Sequence, residues 1–140
     1  MTLHLLKLAV GIEHLDQLKA RQDRFVNTRG NYQHMTRMFP KREAELLDGG
    51  SMYWVIKRLV SVRQSIIALH RETDDTGRGY CLIELAPAQI LVAPQRKRPF
   101  QGWRYLKPED APADIGSLDG YIDPDMPDDM RAELSRLGLI

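Results

Sequence analysis

The strongest constraint on the fold of this chain is an alternation of apolar and polar residues that starts at Ser51 and continues to Ile66. The apolar parity contains Met52, Trp54, Ile56, Val60, Val62 and Ile66, interrupted by Arg58 and Gln64. The opposite parity contains Tyr53, Lys57, Ser61, Arg63 and Ser65. Because successive side chains of a β-strand point to opposite faces, this period of two predicts one long bent strand or two strands that meet near Arg58.

The remaining patterns predict an α+β fold. A Leu-rich strand is expected at residues 3–10, a helix at about 13–25, and a short helix between Pro40 and Gly49-Gly50. Further strands are expected at 80–85, 89–93 and 100–106, and a C-terminal amphipathic helix after Asp125. Short connections between consecutive strands favour antiparallel pairing. We therefore predict a small antiparallel, curled or barrel-like sheet of about five strands, with two N-terminal helices and one C-terminal helix.

The net charge of +1 conceals a strong partition along the chain. Residues 1–107 carry 18 Lys and Arg against 10 Asp and Glu, a net charge of +8. Residues 108–140 carry 2 against 9, a net charge of −7. The length of 140 residues suits a single domain. We expect a basic body at 1–107 and an acidic strap with its helix at 108–140, and the basic excess predicts an anionic partner.

Several classes of protein are disfavoured. Cys81 is the only cysteine, so an intrachain disulfide is impossible, and its apolar surroundings predict a buried, inert thiol. The N-terminus lacks the pattern of a signal peptide, and no stretch approaches the roughly 20 apolar residues of a membrane helix. We expect a cytoplasmic protein without cofactor or metal. Signatures of hydrolases, P-loop proteins, zinc proteases and dinucleotide-binding proteins are missing from the sequence.

Three segments combine cations with aromatic side chains. In the first, residues 32–42, the candidate contacts lie near the predicted helix start and are Arg37, Lys41 and Arg42. In the second, within the alternating run, they are Tyr53, Lys57, Arg63 and Gln64. In the third, they are Arg96, Lys97, Arg98, Gln101, Trp103, Arg104 and Tyr105. Arg and Lys neutralise phosphates and aromatic faces stack on exposed bases, so these segments predict a surface for nucleic acid or another polyanion.

The same residues also have structural interpretations. Trp54 falls on the apolar parity and is expected in the core. Trp103 and Tyr105 can either close the hydrophobic face of the sheet or present a stacking platform. The cations of residues 96–98 can belong to a solvated loop.

Four stretches of sequence, read together, resemble a known family. They are T-R-M-F-P-K-R at 36–42, L-L-D-G-G-S-M-Y-W-V-I-K at 46–57, Arg63-Gln64, and R-P-F-Q-G-W-R-Y-L at 98–106. The chain up to about Asp114 resembles a family of small bacterial proteins of unknown function, found mainly in alphaproteobacteria. This resemblance implies a bacterial cytoplasmic protein and assigns no catalytic residue.

A looser resemblance is to the PUA-like small barrels, which often bind RNA or modified bases. It rests on the order of helix, Gly-Gly and strand and on the run of strands that follows. The G-x-K-x-x-E-x-R signature of one branch is missing, so the resemblance implies no specific ligand.

Three functions remain open. The leading hypothesis is a non-catalytic nucleic-acid-binding module, for RNA or exposed bases, because no segment resembles a helix-turn-helix recognition helix. The second is a small enzyme acting on a nucleotide or phosphoester, with His34 or Glu45 as general acid–base and Arg37 and Lys57 as an anion clamp. The third is a module whose basic face binds an acidic protein surface.

Overall fold

A computed structural model describes residues 1–117 of the 140-residue chain and is dominated by β-strands. The strands, in chain order, are β1 (His4–Leu8), β2 (Tyr32–Thr36), β3 (Ser51–Ile56), β4 (Leu59–Thr73), β5 (Gly79–Leu85), β6 (Ile90–Arg96), β7 (Trp103–Leu106) and β8 (Asp114–Ser117). The helices are α1 (Leu15–Gln22) and the single turn α2 (Glu43–Leu46), and short 3-10 turns cover Asp23–Phe25 and Pro108–Asp110.

The alternating run folds as the β3–β4 hairpin. Its two-residue turn consists of Lys57 and Arg58, with φ values of 51° and 68°, and Ile56 pairs with Leu59 across it. Positive φ at both turn positions matches the right-handed twist of the flanking strands. The alternative of two strands meeting near Arg58 is therefore confirmed.

The strand β4 is long enough to belong to two parts of the sheet. Its first half pairs with β3 and β6, and its second half pairs with β5. Irregularities in the pairing fall between Val60 and Val62 and between Ile66 and Ala68. Such β-bulges bend a strand and increase its twist, so the bent β4 turns one end of the sheet relative to the other.

The sheet is mixed. Its strand order is β2-β5-β4-β3-β1-β7, with β6 pairing with β4 and β8 pairing with β6. The β1–β3 pair is parallel, because residues 9–50 carry the chain back to the starting end of the sheet. Gly50 allows this return, since a Cβ atom there would overlap the carbonyl oxygens of Leu3 and Leu46.

The predicted fold was wrong. The described residues form eight strands in a mixed sheet, not about five in an antiparallel one, and α1 is the only helix longer than one turn among them. The helix expected after Pro40 is limited to α2, because Leu46 is its only buried side chain. Residues 32–36 lack a clear sequence period yet form the edge strand β2, and residues 114–117, expected to be irregular, form β8. The predicted C-terminal helix lies outside the described residues.

The two faces of the sheet carry separate apolar clusters. The larger cluster contains Trp54, Met52 and Ile83 and packs against Leu15 and Leu18 of α1. The smaller one lies on the opposite face and contains Leu6, Tyr53, Val55, Val60, Val92 and Leu106. Trp54 is thus in the core, as predicted, and Cys81 is also buried.

A buried amide network crosses the larger cluster. The Gln64 side-chain oxygen accepts hydrogen bonds from Trp54 Nε1 at 2.8 Å and from Gln22 Nε2 at 2.6 Å. Gln64 Nε2 donates to Gln22 Oε1 and to the Ala86 carbonyl, both at 3.2 Å, and Gln89 Nε2 donates to Gln22 Oε1 at 2.7 Å. The network fixes α1 to the sheet, because an unpaired buried amide would destabilise the fold.

Candidate functional site

Predicted site residues come together in a groove between the edge strands β2 and β7. The C-terminal end of β2 and the N-terminal end of β7 face each other across a volume of about 660 Å³, which we call the seam groove. Its lining residues are Lys7, Met35, Thr36, Arg37, Met38, Gln101, Gly102, Trp103 and Arg104. The groove therefore joins residues of the first and third cation–aromatic segments.

The edge strands β2 and β7 form no ladder with each other in the described structure. Two hydrogen bonds connect the segment that follows β2 to side chains of β7. Trp103 Nε1 donates to the Met38 carbonyl at 2.9 Å, and the Arg42 backbone N–H donates to the Tyr105 hydroxyl at 3.1 Å. Side chains of the third segment thus hold the chain after β2 next to β7.

The cations of the groove have distinct environments. Arg37 is partly exposed and pairs with Asp74 of the β4–β5 turn at 2.9 Å. Lys7 lies opposite both Trp54 and Trp103 in the pairing of β1, so its side chain projects from the same face as the two indoles. Burial, followed by the charge of Arg21, lowers the pKa of Lys7. Arg104 borders the groove but lies opposite Leu6 in the pairing of β1 with β7, so its side chain projects from the other face, where its guanidinium is 5.7 Å from the centroid of the Phe100 ring.

Trp103 and Tyr105 close the hydrophobic face of the sheet and remain partly exposed. Their rings meet edge to face at 4.9 Å, and both pack against the larger apolar cluster while remaining partly exposed. The Arg42 guanidinium lies 5.6 Å from the centroid of the Tyr105 ring and pairs with Glu45. The hydrogen bond from Arg42 lowers the pKa of Glu45. Lys41 is exposed beside this group.

Most of the second segment lies elsewhere. Tyr53 and Gln64 are buried, so the prediction that they contact a ligand at the surface is not compatible with their positions. Arg63 makes two 2.7 Å hydrogen bonds to Asp114 and one of 2.9 Å to the Ser51 hydroxyl, which connects β4 to β8. These residues stabilise the sheet instead of forming a binding surface.

The cations of the β3–β4 turn extend the seam groove at the same end of the sheet. Leu59 pairs with Arg96, and the Lys97 backbone N–H donates to the Arg58 carbonyl at 2.8 Å. Lys57 and Arg98 are exposed at this end. Since Lys7 and Trp103 mark the same end of β1 and β7, the third segment and the turn form one basic end of the sheet.

A second concavity, the α1 cavity, adjoins the seam groove. It has a volume of about 370 Å³ and lies between α1 and the edge strand β2. Its lining residues are Leu18, Arg21, Gln22, Phe25, Tyr32, Gln33, His34, Met35, Trp54, Leu82 and Leu85. Met35 lines both this cavity and the seam groove.

His34 is the most unusual residue of the α1 cavity. Its ring meets the Trp54 ring edge to face at 5.1 Å, and its Nε2 atom is buried without a hydrogen-bond partner among the described residues. Burial, followed by the charges of Lys7 and Arg21, lowers the pKa of His34 to about 4. The imidazole is therefore neutral at neutral pH and can donate or accept one hydrogen bond at Nε2.

Sequence reasoning missed Lys7 and Arg21. Lys7 had a signal, because it is the charged residue that interrupts an apolar strand. Arg21 had none, since its position follows from the way α1 packs; its guanidinium donates to the Val10 carbonyl at 2.7 Å.

A charged cluster on the outer side of the sheet was also missed. The Glu84 side chain is fully buried and accepts hydrogen bonds from Asn31 at 2.6 Å and Arg29, with His70 Nε2 at 3.0 Å. Burial alone would raise the pKa of Glu84, but the hydrogen bonds and the charge of Arg29 outweigh it and lower the pKa to about 2. The cluster fixes the loop before β2 to the sheet.

The enzyme hypothesis finds little support in this geometry. His34 lines the α1 cavity, but neither Arg37 nor Lys57, the expected anion clamp, lines it, and the alternative acid–base residue Glu45 is paired with Arg42. Burial raises the pKa of the Cys81 thiol to about 11, which disfavours a thiolate nucleophile. Within residues 1–117, no cluster of three or more His, Cys, Asp or Glu side chains is placed to bind a metal ion, and no helix is long and apolar enough to span a membrane.

Comparison with known proteins yields a family and no named relative. No curated protein and no solved structure matches the chain. The family model described as protein of unknown function (DUF1489) matches residues 5–140. This match extends past the four sequence stretches that first indicated an uncharacterised family and includes every residue of the seam groove and the α1 cavity. The chain belongs to the DUF1489 family.

Proposed function

We propose that this protein is a non-catalytic module that binds single-stranded nucleic acid, in particular RNA, in the seam groove. The observation that carries the proposal is that folding unites cations and aromatics from distant parts of the sequence. Arg37 comes from the segment just after β2, Lys7 from β1 and Trp103 from β7. Convergence of these residue types in one groove is the arrangement that stacking and phosphate neutralisation require.

The contacts follow from the chemistry of each side chain. Lys7 and Arg37 neutralise phosphates, and the exposed part of the Trp103 indole stacks on a base, which contributes about 1–3 kcal/mol per base in such proteins. The basic end formed by Lys57 and residues 96–98 extends the path of the backbone beyond the groove. The net charge of +8 over residues 1–107 attracts a polyanion over a longer range.

An unpaired strand fits this surface better than a duplex. Reading the major groove of DNA requires a projecting helix or β-ribbon. Leu15, Leu18 and Gln22 of α1 are buried against the sheet, so this helix is not free to project. A concave groove with an aromatic side chain suits unstacked bases. The proposal includes the bacterial cytoplasmic setting and the distant similarity to PUA-like barrels that the sequence motifs indicate.

The test is fluorescence anisotropy with labelled single-stranded RNA 12-mers between about 50 and 200 mM salt. Affinity should fall steeply with salt, since each neutralised phosphate releases counterions. Arg37→Glu should weaken binding at least about tenfold and flatten the salt dependence, because Arg37 lines the groove and is partly exposed. The control is Arg24→Glu, which changes an exposed arginine that lines neither the groove nor the cavity.

Two results would overturn the proposal. One is affinity that does not change with salt. The other is equal loss of affinity in Arg37→Glu and Arg24→Glu, because net charge and not the groove would then determine binding. Recovery of a protein partner that survives nuclease treatment would favour the protein-binding alternative.

A further inference from the structure

We propose that the α1 cavity receives one unstacked base of the strand that lies in the seam groove, with His34 Nε2 as its main polar contact. This inference rests on the proposed function, because it takes the strand in the groove as the source of the base. It adds a second site, with a different chemistry, to the cationic surface.

The size and lining of the cavity suit a planar ring. At about 370 Å³ it lies at the lower end of the range for ligand pockets, which favours one ring system over an extended chain. Its walls are mostly apolar or aromatic, with Trp54, Tyr32 and Leu85 among them. Pockets that receive flipped bases combine such walls with a few polar groups that read the base edge.

The cavity and the groove share Met35 as a lining residue. This side chain lines both of them and is 53% exposed, and Phe25 at the cavity lining is 56% exposed. Methionine adapts its shape easily because its side chain is flexible. An exposed, adaptable side chain thus stands at the boundary that a base from the strand in the groove would cross to reach the cavity.

The polar groups of the cavity differ in whether they already have hydrogen-bond partners. The amide of Gln22 already makes hydrogen bonds through both its oxygen and its nitrogen, to Gln64 and Gln89. By contrast, His34 Nε2 is buried and has no partner within residues 1–117. A buried polar atom without a partner destabilises a fold, so its presence beside an open cavity indicates a hydrogen bond made to a ligand.

The electrostatics of the cavity restrict the ligand further. The charges of Lys7 and Arg21 both act on His34, so the local potential is positive and a cationic ligand is disfavoured. The imidazole remains neutral, which suits a hydrogen bond to the edge of an uncharged base. Lys7 lines the adjoining groove, where the phosphate of the same nucleotide is expected.

The decisive variant is His34→Phe. It removes Nε2 while keeping an aromatic ring against Trp54, and the apolar ring also removes an unpaired buried nitrogen, so the variant should fold at least as stably as the native chain. Binding of the native protein and of this variant is measured with a set of RNA 12-mers, each with one abasic position. At the position where the missing base matters most, the native protein should bind the abasic 12-mer at least about tenfold more weakly than intact RNA. For the same 12-mer, His34→Phe should reduce that difference to less than about threefold.

A second readout observes the imidazole directly. In ¹H–¹⁵N spectra of the histidine side chains, adenosine monophosphate should shift the Nε2 resonance of His34 and leave that of His70 unchanged, because His70 contacts Glu84 outside the cavity. Both readouts use the full chain.

The outcomes separate this inference from the proposed function. If RNA binds with the expected salt dependence but abasic and intact strands bind equally, the cavity proposal is wrong and the groove proposal stands. If adenosine monophosphate shifts His34 while RNA 12-mers do not bind, the cavity is supported as a base site and the groove proposal is wrong. If neither occurs, both are wrong.

Discussion

Replacing Glu84 by glutamine should lower the free energy of unfolding by about 3 kcal/mol at pH 7. The Glu84 carboxylate is fully buried, and its oxygens accept hydrogen bonds from Asn31 and Arg29 and contact His70. A glutamine has the same shape but one acceptor oxygen, and its NH₂ group faces donors. The Arg29 guanidinium also loses its charged partner.

The magnitude follows from the protonation equilibrium of the carboxyl group. A pKa lowered from 4.5 to about 2 means that the fold prefers the ionised form, which corresponds to about 3 kcal/mol. The cost of breaking a buried ion pair, about 3–5 kcal/mol, has a similar size.

The direction of the pKa shift determines how the contribution of Glu84 to stability changes with pH. Because the pKa of Glu84 is lower in the folded chain, its contribution is complete above about pH 4.5 and disappears as the pH falls towards 2. The difference in stability between the native chain and Glu84→Gln should therefore be constant near neutrality and shrink between pH 4.5 and 2.

Urea unfolding followed by circular dichroism at several pH values measures this difference. The control is Glu72→Gln, which changes an exposed glutamate on β4 and should alter stability by less than about 0.5 kcal/mol. A Glu84→Gln deficit below about 1 kcal/mol at pH 7, or one that persists unchanged at pH 2, would refute the reasoning.

Two further substitutions test the backbone. Gly50→Ala should destabilise the fold by at least about 2 kcal/mol, because its Cβ overlaps two carbonyl oxygens, whereas Gly79→Ala meets only an ordinary contact; thermal unfolding compares them. Replacing Lys57-Arg58 by Asn-Gly should stabilise the hairpin by about 1 kcal/mol, because both positions have positive φ. The same double variant removes two cations and should weaken RNA binding measured by fluorescence anisotropy. A loss of stability in this variant would show that the native turn is not strained.

The elements that carry a clear local period were predictable. The alternation from Ser51 to Ile66 gave the β3–β4 hairpin, and the apolar spacing of Leu15 and Leu18 gave α1. Local patterns failed where pairing partners decide the structure. The strand β2 is stabilised by its ladder to β5, with Tyr32 opposite Leu85, and its own sequence has no period. The parallel β1–β3 pair likewise depends on a connection of about forty residues.

The candidate site was predictable in composition but not in assembly. The cations and aromatics of the first and third segments could be identified from the sequence, and Arg37 and Trp103 do line one groove. The alternation of residues along a strand predicts which face of the sheet Tyr53 occupies. It does not show what covers that face, so the burial of Tyr53 could not be predicted. The α1 cavity is lined by residues of α1 and of three strands, β2, β3 and β5, so no spacing in the sequence predicts it.

The unpaired approach of β2 and β7 has a consequence for self-association. Free strand edges are templates on which other chains can add strands and aggregate. Here the end of one edge strand faces the start of the other within a single molecule, separated by bulky and charged side chains. The indole of Trp103 and the hydroxyl of Tyr105 are used for hydrogen bonds to the segment after β2. The groove that we assign to RNA is thus also the place where the sheet avoids presenting these two edges to a neighbouring molecule.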